Sequence, residues 1–281
     1  MNIGINTYLF TSPFNNDSVR LFKRFKDWGF DSVEIALENA AHIDAAYIRK
    51  ELDHNGLKCH VVCAATGPDT DLRGTADQQQ NALHYITGLM DAMVVLNASV
   101  LCGPVYSSVG RADAVSPDEY RQQWETVKAH LKTLSAYAEE RGLKIAMEPL
   151  NRFETDFMNT VDQGLQMVRE VGSPALGLHL DTFHMNIEEK DQADAILKAG
   201  SRLFHFHACG SDRGTPGNDH IHWTAIVRAL KQVGYKGSVN IESFTPDVKV
   251  IARAAAIWRQ IEPSQESIAT NGLDFLKNVL A

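Results

Sequence analysis

At 281 residues, with 44% hydrophobic and 22% charged positions, the chain has the make-up of a folded globular protein with a sizeable core, and disorder is set aside. A formal net charge of −8 without any dense Lys/Arg run argues against nucleic acid or another polyanion as partner, since such binding runs on counterion release. No run of 18 apolar residues and no basic, apolar leader is present, and four cysteines lack any Cys-x-x-Cys pair; the expectation is a cytoplasmic protein with reduced thiols and no membrane contact.

Residues 3–8 read as a first strand, followed over 17–28 by an apolar pattern of helical period that stops at Gly29. A strand at 32–36, a helix at 45–55 closing at Gly56, and a strand at 58–64 repeat the pattern. A long helix at 77–96 leads to a short fourth strand at 98–102. The loop after it, 103–114, is made of small and turn-forming residues and is long enough to carry function. Ser116 as N-cap, Pro117 at the first helical position and Glu119 three residues after the cap start a helix that stops at Gly142.

The fifth strand ends at Glu148, and a helix at about 160–171 separates it from a sixth strand ending at Asp181. A helix at 191–199, a strand at 203–207, a Gly-rich loop at 210–218, a helix at 222–233 and an eighth strand at 238–242 follow. A helix over about 248–260, a break at Pro263 and an amphipathic helix over about 265–280 finish the chain. Trp28 and Trp258, at helical spacings, read as core aromatics. Strands alternating with helices, each strand nearly all apolar, specify a parallel sheet covered on its outside, hence an α/β protein. Eight such units fit a closed (β/α)8 TIM barrel, one domain over 1–281 with a C-terminal helical extension. No Gly-x-Gly-x-x-Gly follows the first strand, so a dinucleotide fold has no support and no organic cofactor is expected.

Four strands end in a residue that can ligate a metal: Glu148, Asp181, His207 and Glu242, at intervals of 33, 26 and 35 residues. These intervals are close to the roughly 30 residues of one strand-helix unit, so the four side chains arrive at one mouth. Three carboxylates gathered there repel one another unless protons or a cation intervene, and with an imidazole among them they suit a divalent metal. His205 and His179 lie deeper in their strands and read as structural or supporting groups. Glu188 and Glu189 read as the start and cap of the following helix, and Arg152 as half of a salt bridge at the mouth.

The segments Glu148-Pro-Leu-Asn-Arg-Phe-Glu154, Asp181-Thr-Phe-His-Met-Asn-Ile-Glu-Glu189, His205-Phe-His207 and Ile241-Glu242 resemble the ketose 3-epimerases, the D-tagatose and D-allulose (D-psicose) 3-epimerase group of the xylose-isomerase-like barrels. The resemblance implies that Glu148, Asp181, His207 and Glu242 hold Mn2+, with Co2+ or Mg2+ as substitutes. It implies that Glu154, His184 and Arg213 hydrogen-bond a ketose near its carbonyl, and that the protein is a homodimer or homotetramer. The family's pocket aromatics are matched in part by Tyr8, Phe10, Phe14 and Tyr106. The chain departs from the family pattern at Ser243, where a proline is usual, and at Gly210, where an acid is usual.

Epimerisation beside a carbonyl removes a proton from one face and returns one to the other. Glu148 and Glu242, on the fifth and eighth strands, suit that exchange through a cis-enediolate, with a cation supplying electrostatic stabilisation. The reading is a metal-dependent 3-epimerase of a free ketose of the D-tagatose, D-fructose/D-allulose or L-ribulose class. A related sugar isomerase, or an epimerase of keto-glycosides or inososes, stands as the alternative on the same barrel. A metal-dependent phosphodiesterase and a non-catalytic sugar-binding barrel stand behind it.

Overall fold

The computed structural model describes residues 1–281. Its eight short strands are β1 (Asn2–Asn6), β2 (Ser32–Leu37), β3 (Val61–Ala64), β4 (Val100–Gly103), β5 (Lys144–Met147), β6 (Leu176–Asp181), β7 (Leu203–Ala208) and β8 (Ser238–Ile241). They pair in parallel in sequence order, and β8 returns to β1, so the sheet closes into a barrel. Outside lie α1 (Arg20–Trp28), α2 (Ala45–Asn55), α3 (Ala76–Leu96), α4 (Pro117–Glu140), α5 (Val161–Val171), α6 (Thr182–Glu188), α7 (Gln192–Ala199) and α8 (Trp223–Gln232). The short α9 (Lys249–Ala254) sits over the mouth side of β8, and α10 (Gln265–Leu280) packs on β1, β8 and α8.

The strands are apolar on both faces because both faces are buried. Outward residues such as Ile35, Leu101, Met147, Leu180 and Ile241 join Ile48, Leu89, Leu131, Met167 and Leu230 of the helices in one continuous core. Each of these side chains contributes roughly 1.5–3 kcal/mol on burial. Inside the barrel, β3 and β4 turn small apolar groups inward (Val61, Cys63, Val100 and Cys102). The other side of the lumen is polar, with Asn6, Glu34, His179, His205, His207 and Asn240 all buried. That asymmetry directs the chemistry towards β5 to β8.

Helix starts follow the sequence signals. Thr75 with Gln78 and Thr160 with Gln163 form reciprocal capping boxes. Ser116 caps α4 by accepting from the Glu119 amide, whereas the Glu119 carboxylate bonds Gln123 instead of reaching back, so only half of the expected box forms. Asp181 ends β6 and also caps α6 by accepting from the Phe183 amide at 2.8 Å, which adds a helix where none was expected. Glu188 therefore closes a helix rather than opening one. Its carboxylate takes the Arg152 guanidinium at 2.9 and 3.1 Å. Glu189 accepts from the amide of Val161, the first residue of α5, beside the Thr160 cap, while Asp191 caps α7.

Near the C-terminus the helix expected over 248–260 covers only Lys249–Ala254, because Ala256 adopts a left-handed φ of 55° that ends it. Ile257 still packs inward, but Trp258 is 75% exposed instead of lying in the core. Trp28, by contrast, packs against Phe10 and Phe25.

Gly177 on β6 has no room for a side chain: a Cβ there would lie 2.5 Å from both the Arg202 carbonyl oxygen and the Phe204 ring. Gly177→Ala is expected to cost about 1–3 kcal/mol of stability through overpacking. Chemical denaturation of the two proteins measures it; an unchanged midpoint would contradict this packing.

Candidate metal centre and active site

Because side chains alternate along each strand, Glu148, Asp181, His207 and Glu242 point inward at the carboxyl ends of β5 to β8. One ligand atom from each lies within 4.8 Å of all the others, and all four residues are buried. The Nδ1 atom of His207 stands 3.4 Å from Oε2 of Glu242.

The donor set is oriented from below by Glu34, which the sequence reading passed over. Its carboxylate accepts from Nε2 of His207 at 2.8 Å, from Nε2 of His205 at 2.7 Å, and from the amides of Asn6 and Asn240 at 2.8 and 2.6 Å. Burial alone raises the Glu34 carboxyl, but the imidazoles of His207 and His205 outweigh it and hold it well below the usual carboxylate range. With Nε2 of His207 committed to Glu34, its Nδ1 is the atom left to face the cluster. An acid inside an otherwise apolar, fully buried strand was the available signal, since such a charge requires compensation.

Electrostatics test whether a cation fits. Burial, and then Glu242, push Glu148 well above the ordinary range, and burial pushes Asp181 up to about 6 even though Arg213 opposes it. Burial lowers His207, but Glu34 and Glu242 outweigh it and raise the imidazole well above its usual value. Held without a cation, the cluster takes up protons. Nδ1 of His207 and Oε1 of Glu148 are buried with no hydrogen-bond partner. Two lone-pair donors without partners, beside two more carboxylates at mutual ligand spacing, fit a divalent ion with oxygen and imidazole ligands.

Arg213 is the built-in counter-charge. Its Nη1 donates to Asp181 at 2.7 Å and to Glu242 at 3.2 Å, and its guanidinium lies between the rings of Phe183 and Phe244. It takes a left-handed φ of 68°, held by a hydrogen bond from its amide to Gly210 and by the Phe244 amide on its carbonyl. Ser243, where the family pattern has proline, donates its hydroxyl to the Gly214 carbonyl and ties this loop to β8.

The cluster opens into a cavity of about 430 Å³ whose wall includes Tyr8, Glu154, His184 and Arg213. Nδ1 of His184 accepts from the Asn151 amide at 3.0 Å, so the ring proton sits on Nε2, 3.6 Å from Oε1 of Glu148. The 2.9 Å approach of Arg213 Nη2 to that same Nε2 joins two donors and is not a hydrogen bond of this tautomer. Glu154 accepts from the Asn151 side chain at 2.7 Å.

Residues 22–279 match the xylose isomerase-like TIM barrel family. A protein from Synechocystis sp. named "Probable ketose 3-epimerase" is 35% identical, with 99% of this chain and 96% of its own covered. An L-ribulose 3-epimerase from Methylomonas sp. is 33% identical over 89% of this chain and 87% of its own. The crystal structure of a Methylomonas sp. D-allulose 3-epimerase in complex with D-allulose superposes with a TM-score of 0.92 at 29% identity, covering 99% and 96% of the two chains. The chain belongs to the ketose 3-epimerase family. It is an isomerase acting on carbohydrates.

In this epimerase Glu148 and Glu242 line one cavity with the three polar wall residues named from sequence, Glu154, His184 and Arg213, and Asp181 and His207 lie within 4.8 Å of the two glutamates without lining it. Of the four aromatics named from sequence only Tyr8 lines it, and Phe244, which was not named, lines it as well. Phe10 packs on Phe25 at 5.1 Å, Phe14 stacks on Phe22 at 6.4 Å, and Tyr106 donates its hydroxyl to the Glu148 carbonyl with its ring against Phe157. The family resemblance implied pocket positions for those three, but the turn after β1 and the loop after β4 turn them against the outer core. A more open cleft of about 580 Å³ nearby includes Arg111, which Asp71 and Asp113 already engage.

Raised carboxyls make stability depend on pH. A carboxyl whose folded pKa lies above its unfolded value gives stability that is full below the unfolded pKa and is lost as pH rises through the folded one. For Asp181 that window runs upward from the model-peptide value of 3.8 through about 6. Without a divalent ion the protein is therefore expected to melt progressively lower as pH rises across this range, and added Mn2+ to raise Tm more at pH 8 than at pH 5. Calorimetric scans with and without the ion check it; an equal increment at both pH values contradicts it.

Proposed function

We propose that this enzyme inverts C3 of a free ketose of the D-tagatose, D-fructose/D-allulose or L-ribulose class, with Glu148 and Glu242 exchanging the proton and Glu148, Asp181, His207 and Glu242 holding Mn2+, or Co2+ or Mg2+ in its place. The observation that carries the reading is the convergence of these four buried groups within 4.8 Å, with Nδ1 of His207 and Oε1 of Glu148 unpartnered, in a chain whose relatives are named for that reaction. A divalent ion bound there supplies Lewis-acid stabilisation to negative charge developing on the sugar oxygens, worth several kcal/mol.

The chain's own residues do the rest. The carboxylate of one glutamate takes the C3 proton, leaving an enediolate across C2 and C3, and the other glutamate, protonated, returns a proton to the opposite face. Burial and mutual repulsion split the pair: Glu148 is held well above the usual range, while His207 and Arg213 outweigh burial to keep Glu242 below it. Two carboxyls with separated proton affinities suit an acid and a base. His184 offers its Nε2 proton to a sugar oxygen, Arg213 supplies fixed positive charge at the same wall, and Glu154 and Tyr8 meet hydroxyls. The reading carries with it a cytoplasmic homodimer or homotetramer without organic cofactor; no helix is long and apolar enough to cross a membrane.

In D2O the wild type is expected to exchange the C3 proton of D-allulose for deuterium while forming the epimer. Glu148→Gln and Glu242→Gln should each lower kcat by about 10²–10⁴-fold. Full activity in either variant, read by NMR, would end the two-carboxylate scheme. Glu34→Gln should weaken Mn2+ binding by about 10–100-fold, because the tautomer of His207 is no longer fixed. Titration calorimetry measures that loss, and unaltered affinity would remove Glu34 from the metal's support.

A further inference from the structure

The cavity has a second polar wall that the reaction at C3 does not use. Glu38 directly follows β2, and Ser12 lies in the turn after β1; both line the same cavity as Glu148, His184 and Arg213. In an eight-strand ring β2 stands four strands from β6, so Glu38 faces Asp181 and His184 across the mouth. Its carboxylate is fixed by the Ser12 hydroxyl at 2.7 Å on one oxygen and by the Phe14 amide at 3.1 Å on the other. Each oxygen keeps a lone pair to spare.

Tyr8 lies between the two walls. Burial, and then Glu38, hold its phenol well above the ordinary value, with Glu242 contributing from the other side. Tyr8 is anchored through its amide to Oδ1 of Asn6, and Cys63 and Ala64 line the same cavity. Arg213 is the single cation on the lining, and it is already spent on Asp181 and Glu242.

We propose that Glu38, held by Ser12, is a specificity-determining residue that accepts a hydrogen bond from a hydroxyl at the end of the sugar far from the reacting carbons and rejects a phosphate there. The inference rests on the ketose 3-epimerase reading and adds what the distal wall selects. A ketose whose C2 and C3 oxygens lie at the β5 to β8 wall projects its remaining carbons across the mouth towards β2. A fixed carboxylate there rewards a donor and repels an anion. A neutral amide in its place keeps an acceptor but removes the charge that strengthens the bond. An alanine removes both.

The experiment measures kcat and KM for D-allulose, its 6-deoxy analogue and its 6-phosphate with the Mn2+-loaded wild type, Glu38→Gln, Glu38→Ala and Ser12→Ala. Circular dichroism and calorimetric D-allulose binding are run on each protein. The wild type is expected to handle the 6-phosphate at least about 100-fold less well than D-allulose. Glu38→Ala should raise KM for D-allulose by about 10-fold, in keeping with a lost charge-assisted bond, with kcat within about twofold. Glu38→Gln should narrow the discrimination against the phosphate by about 10-fold, and Ser12→Ala should raise KM by a smaller factor.

If Glu38→Ala and Glu38→Gln leave KM and the phosphate ratio as in the wild type, the proposal is overturned while the 3-epimerase reading stands. Loss of kcat with unchanged KM overturns it as well, since that marks a role at the reacting end. If Glu38 variants do not fold, Ser12→Ala decides: unchanged KM for D-allulose and unchanged phosphate ratio overturn the proposal. A wild type that exchanges no C3 proton of any ketose overturns both readings together.

Discussion

Buried negative charge needs a partner, and the interior of this barrel is arranged around that requirement. Glu34, Glu148, Asp181 and Glu242 are all removed from water within one lumen, where isolated carboxylates would each cost several kcal/mol. Glu34 is neutralised from within by two imidazoles and two amides. Of the upper three, Asp181 and Glu242 share Arg213 and Glu242 faces Nδ1 of His207, while Glu148 meets only the imidazoles of His179 and His184, which leaves the group short of positive charge. The deficit is local, and it makes the mouth fit a divalent ion. Asymmetric lining of the lumen keeps it local, since β3 and β4 offer Val61, Cys63, Val100 and Cys102 there.

Strand alternation turns this chemistry into layers. On β6, β7 and β8 the residue two before each cluster member, His179, His205 and Asn240, points inward one level lower. His205 and Asn240 tie to Glu34, so the lower layer grips the upper one through His207. His179 stands apart: neither of its ring nitrogens has a hydrogen-bond partner, and its Nδ1 lies 3.4 Å from Glu148. Rigidity at the site thus comes from interior polar contacts between strands distant in sequence, with the apolar layer outside the barrel serving all reactions equally.

The cluster was legible because each member ends an apolar run and the spacing of runs matches the strand-helix repeat; position, rather than residue type, separated Glu148 from any other glutamate. Glu34 was not legible by the same rule. It sits mid-strand in Ser32-Val-Glu-Ile-Ala36, and its partners His205 and His207 are 171 and 173 residues away, brought near only when the ring closes. Asn6 joins both Glu34 and Glu242 for the same reason. The misplaced aromatics fail differently. Periodicity put Trp258 in a core helix and the family resemblance put Phe10, Phe14 and Tyr106 at the pocket, but local backbone turns decide which way such rings face, as the left-handed Ala256 shows for Trp258. Asp181 serving as strand end and helix cap at once also hid α6, because a cap ordinarily announces itself outside the preceding element.

Closure of the ring has a consequence for how the chain is made. Ile5 pairs with Ile241, so the first strand waits for the last one. At about 5–20 residues per second the ribosome delivers that partner roughly 10–50 s after β1 itself emerges. Throughout that interval the nascent chain carries two unpaired sheet edges, the hazard that a finished barrel abolishes. Polar Asn2 and Asn6 at the ends of β1, and Lys144 on β5, interrupt what would otherwise be sticky margins. The same ring closure that leaves those edges open for so long later shields the carboxylates of the mouth from water.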